Sequence, residues 1–285
     1  MAVLSRLIWR RAASARSFCT KSDRQILSSP LSSALPANDS TGKGRNVQWV
    51  FLGCPGVGKG TYAARLSKLL GVPHIATGDL VRHELSSSGP LSSQVDWINS
   101  LAEIVNQGRL ISDEIIIDLL SKRLEEAQAK GQTGFILDGF PRTVRQAEIL
   151  EDVTDIDLVI NLKLREEALI AKCLGRRTCS ECGGNYNVAC IDIKGEDGNP
   201  RMYMPPLPPP PQCESKLITR SDDNEEVVKE RLRVYKEQSR PVEDFYRLRG
   251  RLLEFDLPGG IPESWTKLLL VLNLDDHENK RTAAA

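Results

Sequence analysis

Three short stretches of this sequence combine glycine, an acid and a cation in patterns that handle phosphate. The first, Gly53-Cys54-Pro55-Gly56-Val57-Gly58-Lys59-Gly60-Thr61, satisfies G-x-x-x-x-G-K, with Gly60-Thr61 where a hydroxyl residue usually follows the lysine directly. Glycines let backbone N–H groups converge on phosphate oxygens, a helix N-terminus behind them adds positive dipole, and Lys59 supplies a mobile charge. The loop alone implies binding of a nucleotide phosphate without naming a reaction. The second stretch, Phe135-Ile136-Leu137-Asp138-Gly139-Phe140-Pro141-Arg142, sets an acid, a glycine and an arginine just past an apolar run. An acid at that place beside a phosphate loop organises Mg²⁺, often through water, and Arg142 is positioned to clamp a second phosphate. The third, Thr77-Gly78-Asp79-Leu80-Val81-Arg82, repeats the acid and the arginine.

Such residues work only if rigid elements bring them together. Val47 to Leu52 is a nearly continuous apolar run, as expected of a buried parallel strand, and a helical pattern from Lys59 to Leu70 follows the glycine turn. Pro73 to Ala76 reads as a second strand, Phe135 to Leu137 as a third, Leu158 to Leu162 as a fourth and Leu252 to Phe255 as a fifth. A polar helical stretch runs to Gly108 and another from Ser112 to Lys130, with Ser112 and Asp113 as caps. Strands alternating with helices imply an α/β fold with a parallel sheet and ligand sites at the strand C-termini. Between Arg176 and Arg220 the pattern breaks. That stretch carries four of the seven cysteines and the run Met204-Pro205-Pro206-Leu207-Pro208-Pro209-Pro210-Pro211, so it reads as an inserted lobe. A polyproline ligand for a partner module is the weaker reading of the same run. The next helix is expected to begin near Asp222-Asp223, whose charges suit a helix N-terminus, and to pass through Arg231 and Tyr235.

Residues 53–61, residues 77–82, residues 138–142 with Gln146, Gly175-Arg176-Arg177, and Arg220 with Arg231 together resemble the adenylate kinases. The motifs fall in family order over roughly residues 47–275. The resemblance implies an α/β, P-loop NTPase-type fold: a five-stranded parallel sheet with helices on both faces, plus two insertions. These are a monophosphate-binding lobe near 76–111 and a LID near 175–221, within a domain spanning 46–285. The reaction implied is MgATP + AMP ⇌ 2 ADP, by a monomer whose partners are ATP, AMP and ADP, with neither nucleic acid nor membrane.

Residue roles follow from the same resemblance. Gly56, Val57, Gly58, Lys59, Gly60 and Thr61 would cradle the ATP phosphates; Arg176, Asn185 and Tyr186 would meet ATP from the LID, with the backbone near Ile261 beside adenine. Thr77, Arg82, Arg109, Leu110, Ile111, Gly139, Phe140, Pro141, Arg142 and Gln146 would hold AMP, and Arg220 and Arg231 would close over the transferring group. Asp138, with Asp79 as a second acid, would position Mg²⁺ through waters. No nucleophile or general base is needed, because alignment and a cage of cations supply most of the catalysis. The long LID and Gln146, whose amide can both donate to and accept from an adenine edge, favour AMP over pyrimidine monophosphates. The rivals are a catalytically idle nucleotide-binding switch and a kinase for another monophosphate.

Two departures stand out. Lys172 occupies a position usually held by arginine, four residues before Arg176, which weakens stacking on the ATP base. The segment between Arg82 and Gly108 is about six residues longer than in bacterial long-LID members, and includes Pro90 and Trp97. In zinc-bearing members a second ligand pair precedes the arginine matching Arg220. Here Cys179-Ser180-Glu181-Cys182 supplies C-x₂-C and Cys213 a third thiolate, but Pro210 stands at the fourth place. Cys190 would complete a set of four only through a different loop geometry. The expectation is a vestigial thiol cluster holding substoichiometric zinc.

Composition agrees with a folded enzyme. The 285 residues are 40% hydrophobic and 27% charged, and 38 Lys+Arg balance 38 Asp+Glu. Collagen-like, coiled-coil and wholly disordered classes are excluded, and no run of about 18 apolar residues exists to span a membrane. An odd number of cysteines, seven and clustered, is no secreted disulfide framework. The charge is unevenly spread: residues 1–22 hold Arg6, Arg10, Arg11, Arg16 and Lys21 with no acid. That is the composition of an organellar transit peptide, followed at 23–45 by a disordered linker rich in Ser and Pro. Mitochondrion ranks ahead of chloroplast stroma, since Arg16-Ser17-Phe18 resembles a mitochondrial processing site; an address-free or nucleic-acid-binding tail is the alternative.

Overall fold

A computed structural model describes residues 47–86, 103–104, 106–107, 109–132, 134–195 and 200–274. The transit-peptide and linker readings, and the part of the 83–108 segment that holds Pro90 and Trp97, lie outside the described residues.

The five apolar runs become β1 (Gln48–Gly53), β2 (His74–Ala76), β3 (Phe135–Asp138), β4 (Leu158–Lys163) and, late in the chain, Leu252–Asp256. They form one parallel sheet in which the last strand lies outside β4 and the order continues β1, β3, β2. Register places the motifs side by side. Asp138 is level with Phe51 of β1 and Ala76 of β2, so the chain leaves all three strands at the same sheet edge. This edge is the C-terminal one, where α/β sheets bind ligands.

Both faces of the sheet are covered, which is why its strands are predominantly apolar. On one face Trp49 and Phe51 pack with α1 (Lys59–Leu70), α5 (Glu166–Leu174), α6 (Glu225–Val234) and α8 (Ile261–Val271), through Leu66, Leu169, Val228 and Leu268. On the other, Val50 and Leu52 meet α2 (Thr77–Ser86), α3 (Asp113–Ala129), α4 (Val144–Val153) and α7 (Arg240–Leu248), through Val81, Leu119, Leu150 and Tyr246. A π-helical turn, Tyr235–Ser239, carries the chain from α6 on one face to α7 on the other. No helix among the described residues is long and apolar enough to cross a membrane.

The stretch after α5 leaves the five-stranded sheet. β5 (Arg176–Cys179) pairs antiparallel with β6 (Asn185–Asn187) and β9 (Leu217–Ile218), while β7 (Ile191–Ile193) and β8 (Met202–Met204) form a separate ribbon. The final core strand, Leu252–Asp256, is β10. The proline run is tied into this lobe: Leu207 exchanges backbone hydrogen bonds of 2.8 and 3.0 Å with Asn187, and Gly260 N–H donates to Tyr203 O.

Two local expectations need correction. The helix after the insert starts at Glu225, because Asn224 caps it by accepting from Val227 N–H; Asp222 and Asp223 precede it and are buried. Ser112 does occupy the N-cap of α3, but its side chain makes no capping bond, and the Asp113 carboxylate turns instead toward Gln146.

Candidate active site

The phosphate loop is shaped by contacts that only glycine tolerates. Gly56 has φ 84°, and a β-carbon there would lie 2.6 Å from Cys173 Sγ and 2.7 Å from Leu169 O. A β-carbon on Gly60 would lie 3.2 Å from Asp138 Oδ2, so glycine directly after Lys59 leaves that carboxylate room. Lys59 Nζ donates to Gly53 O at 2.7 Å and to Cys54 O at 3.1 Å. Burial lowers its pKa to about 8, with the Asp138 charge opposing the shift. Burial pushes the Asp138 carboxyl up, but the His74 imidazole, its Nε2 3.8 Å from Oδ2, and the Lys59 charge outweigh it, leaving Asp138 below its ordinary value. An ionised, partly enclosed carboxylate that shares its cavity with Thr61 suits a hydrated Mg²⁺, and these residues fit that role.

Past Asp138 the chain turns through Gly139 and a cis Phe140–Pro141 peptide into α4. Arg142 Nε donates to Gly139 O at 2.7 Å, and Thr77 Oγ1 to Asp138 O at 3.2 Å, so β2 and β3 fix one another's loops. Gln146 is buried, accepts from Arg142 N–H at 2.7 Å and donates to Asp113 Oδ1 at 2.7 Å. An amide carries two N–H groups and two lone pairs, so one of each is left over to meet a base edge.

Arg176 and Arg231 are held by acids. Arg176 forks onto Asp223, Nε to Oδ2 at 2.7 Å and a terminal nitrogen to Oδ1. Arg231 Nη1 lies 2.7 Å from Asp222 Oδ2 and 3.7 Å from Asp223 Oδ1. Burial pushes Arg176 down, but the Asp223 hydrogen bond more than compensates and holds it above its ordinary value. Arg220 lacks so close an acid: it donates to Asn185 Oδ1 at 2.7 Å and Thr178 Oγ1 at 3.2 Å, with Asp79 4.0 Å away. Burial and the Arg176 charge bring Arg220 down to about 10, and burial with the Arg231 charge does the same to Arg142. Asp222 and Asp223 are not legible as anchors in the sequence because they lie 46 and 47 residues beyond Arg176, a distance no local pattern bridges.

These groups line two adjoining cavities. The larger, about 200 Å³, runs from the phosphate loop to the insert and includes Gly56, Gly58, Lys59, Gly60, Thr61, Asp138, Arg176, Asn185, Tyr186, Arg220 and Ile261. The smaller, about 80 Å³, is lined by Thr77, Arg109, Leu110, Ile111, Phe140 and Gln146. Arg82, Gly139, Arg142 and Arg231 face both. Of the expected residues, Val57 and Pro141 line neither; both are buried beneath the loops they belong to. Lys172 is an addition. It lines the larger cavity, its Nζ donates to Val57 O at 3.1 Å, and burial lowers its pKa to about 8. In the sequence it is visible only as a substitution for arginine; its tether to the phosphate loop arises when the fold brings α5 beside that loop.

At the tip of the insert Cys179, Cys182 and Cys213 bring their sulfurs within 4.8 Å of one another. Cys190 stands apart, its thiol 3.9 Å from Tyr203 OH. Proline at 210 offers no ligand atom, so these residues do not fit a closed four-ligand zinc site.

A phosphate loop opening into one cavity, with arginines shared by a second, defines a P-loop kinase that acts on a small phosphorylated acceptor. The adenylate kinase family model matches residues 51–251. The chain is 77% identical over 242 residues to probable adenylate kinase 6, chloroplastic, of Oryza sativa subsp. japonica, covering 85% of this chain and 82% of that one. It is 68% identical over 274 residues to the Arabidopsis thaliana protein of the same name, covering 96% and 90%. To adenylate kinase 1, chloroplastic, of Arabidopsis thaliana it is 71% identical over 243 residues, covering 85% and 84%. The chain therefore belongs to the adenylate kinase family, and is an enzyme that transfers a phosphoryl group between ATP and AMP.

Proposed function

We propose that transfer is direct and in line, from ATP in the larger cavity to AMP in the smaller, across the arginines common to both. The P–O bond to the ADP leaving group breaks as a bond from an AMP phosphate oxygen forms, and no covalent enzyme intermediate intervenes. Backbone N–H groups of residues 56–61 and Lys59 hold the donor phosphates. Arg82 and Arg142 hold the acceptor phosphate, and Arg176, Arg220 and Arg231 neutralise charge spreading over the transferring oxygens. Asp138 and Thr61 would hold Mg²⁺, which would supply charge neutralisation on the donor phosphates. Gln146 reads the acceptor base with its remaining N–H and lone pair. The observation that carries this reading is that Arg82, Arg142 and Arg231 line both cavities. It is tested by following ADP formation from ATP and each nucleoside monophosphate: AMP is the preferred acceptor, and faster turnover with CMP or UMP overturns the assignment.

Residence in a plastid is inferred in place of a mitochondrion. Chloroplastic in the names of three close relatives supports it, as does the acid-free, arginine-bearing segment 1–22. A reporter fused to residues 1–45 then enters the stroma; retention in the cytosol or entry into mitochondria sinks the inference. The enzyme acts as a monomer, and its LID thiols take up zinc substoichiometrically.

A further inference from the structure

The sulfurs of Cys182 and Cys213 lie 3.6 Å apart, although the residues are 31 positions apart in sequence. With proline at 210 and Cys190 turned to Tyr203, the cluster stops at three thiols, one short of a closed metal site. Cys182 is exposed and Cys179 and Cys213 are buried, so an external reagent meets Cys182 first. Joining Cys182 to Cys213 needs the sulfurs to approach by about 1.5 Å, within the reach of a side-chain rotation.

We propose that Cys182 and Cys213 form a reversible thiol–disulfide pair that staples the β5–β6 turn to the 3₁₀ turn Pro211–Lys216. The oxidant is a low-molecular-weight disulfide. The Cys182 thiolate attacks one of its sulfurs, expelling a first thiol and leaving a mixed disulfide. Cys213 then attacks Cys182 Sγ, and the second thiol leaves. Two electrons pass to the incoming disulfide, and the two protons from the cysteines end on the released thiols. The change is sensed in the larger cavity, because Tyr186 lines that cavity and its hydroxyl donates to Cys213 Sγ at 3.8 Å. A disulfide sulfur is a poorer acceptor than a thiol or thiolate, so oxidation weakens the bond that holds Tyr186.

The test treats the reduced full chain with oxidised glutathione and maps the products. The expected species is about 2 Da lighter, with a Cys182–Cys213 link that dithiothreitol reverses. Limited proteolysis within 176–220 then slows roughly tenfold, as constraint of the opened chain requires. Cys190→Ser forms the same link, whereas Cys182→Ser and Cys213→Ser form none. Since the link is mapped in the unaltered chain, poor folding of a variant does not obscure the result. A stable glutathione adduct without a bridge, a bridge to Cys179 or Cys190, or tightly held zinc that protects all three thiols overturns the proposal.

Discussion

Asp223 receives both Nε and a terminal nitrogen of Arg176, joining the first strand of the insert to the segment that leaves it 47 residues later. The acid is fully buried and the arginine mostly so. Two hydrogen bonds fix the guanidinium plane in a way a single contact would not. Asp223→Ala is therefore expected to strand a buried cation, costing about 3–5 kcal/mol of stability. Arg176 also loses its aim, so kcat falls more than the KM for AMP rises. Unfolding by denaturant and initial rates at saturating AMP measure both effects. Normal kcat in the variant would show that the pair only closes the lobe.

Arg142 faces both cavities, so its charge is best placed for what develops during transfer. Arg142→Ala is expected to lower kcat by roughly a hundredfold or more, about 3 kcal/mol. Lys59→Met should act similarly. Single-turnover rates at saturating nucleotide check this, and a near-normal rate in either variant removes the role given to that residue.

Burial lowers Lys59 to about 8, so the free enzyme loses this charge as pH rises through that region and keeps it below. The expected profile of kcat/KM for ATP therefore declines above about pH 8, while kcat holds to higher pH because bound phosphate favours the charged lysine. Lys172 has the same shifted value and lies in the same cavity, so it is separated by substitution. Lys172→Met is expected to raise the KM for ATP about tenfold through its lost tether to Val57 O, leaving the KM for AMP unchanged and the alkaline limb in place. Disappearance of the limb in this variant would assign it to Lys172.

For metal, the thiol count decides the expectation. Elemental analysis of purified protein should give well under one zinc per chain, and activity should survive a zinc chelator with Mg²⁺ in excess. One tightly held zinc per chain, lost on Cys179→Ser, would contradict this.

The fold could be read far along the sequence because its decisive signals are local. The runs ending at Leu52, Leu137 and Leu162 are apolar at every position but Gln48 and Asn161, as a sheet covered on both faces requires. The glycine loop after β1 and the arginine after β3 carry their chemistry within a few residues. What escaped was held by distant partners. Asp222 and Asp223 look like helix-start charges until the fold brings Arg176 and Arg231 beside them. Asp113 resembles a cap, yet its partner is Gln146 on another helix. Cysteine spacing listed four candidate thiols, and only the ribbon geometry of β7 and β8 separates Cys190 from the other three.

The two insertions also touch. Arg220 stands 4.0 Å from Asp79 on α2, and Ser221 Oγ donates to Asn106 Oδ1 at 2.8 Å. Contacts of this kind exist only while both lobes face the cleft, so whatever draws one lobe in favours the other. Linkage then requires reciprocity: ATP must raise affinity for AMP by the same factor by which AMP raises affinity for ATP. These few polar atoms thus make the two substrates cooperative ligands of each other before any bond is exchanged.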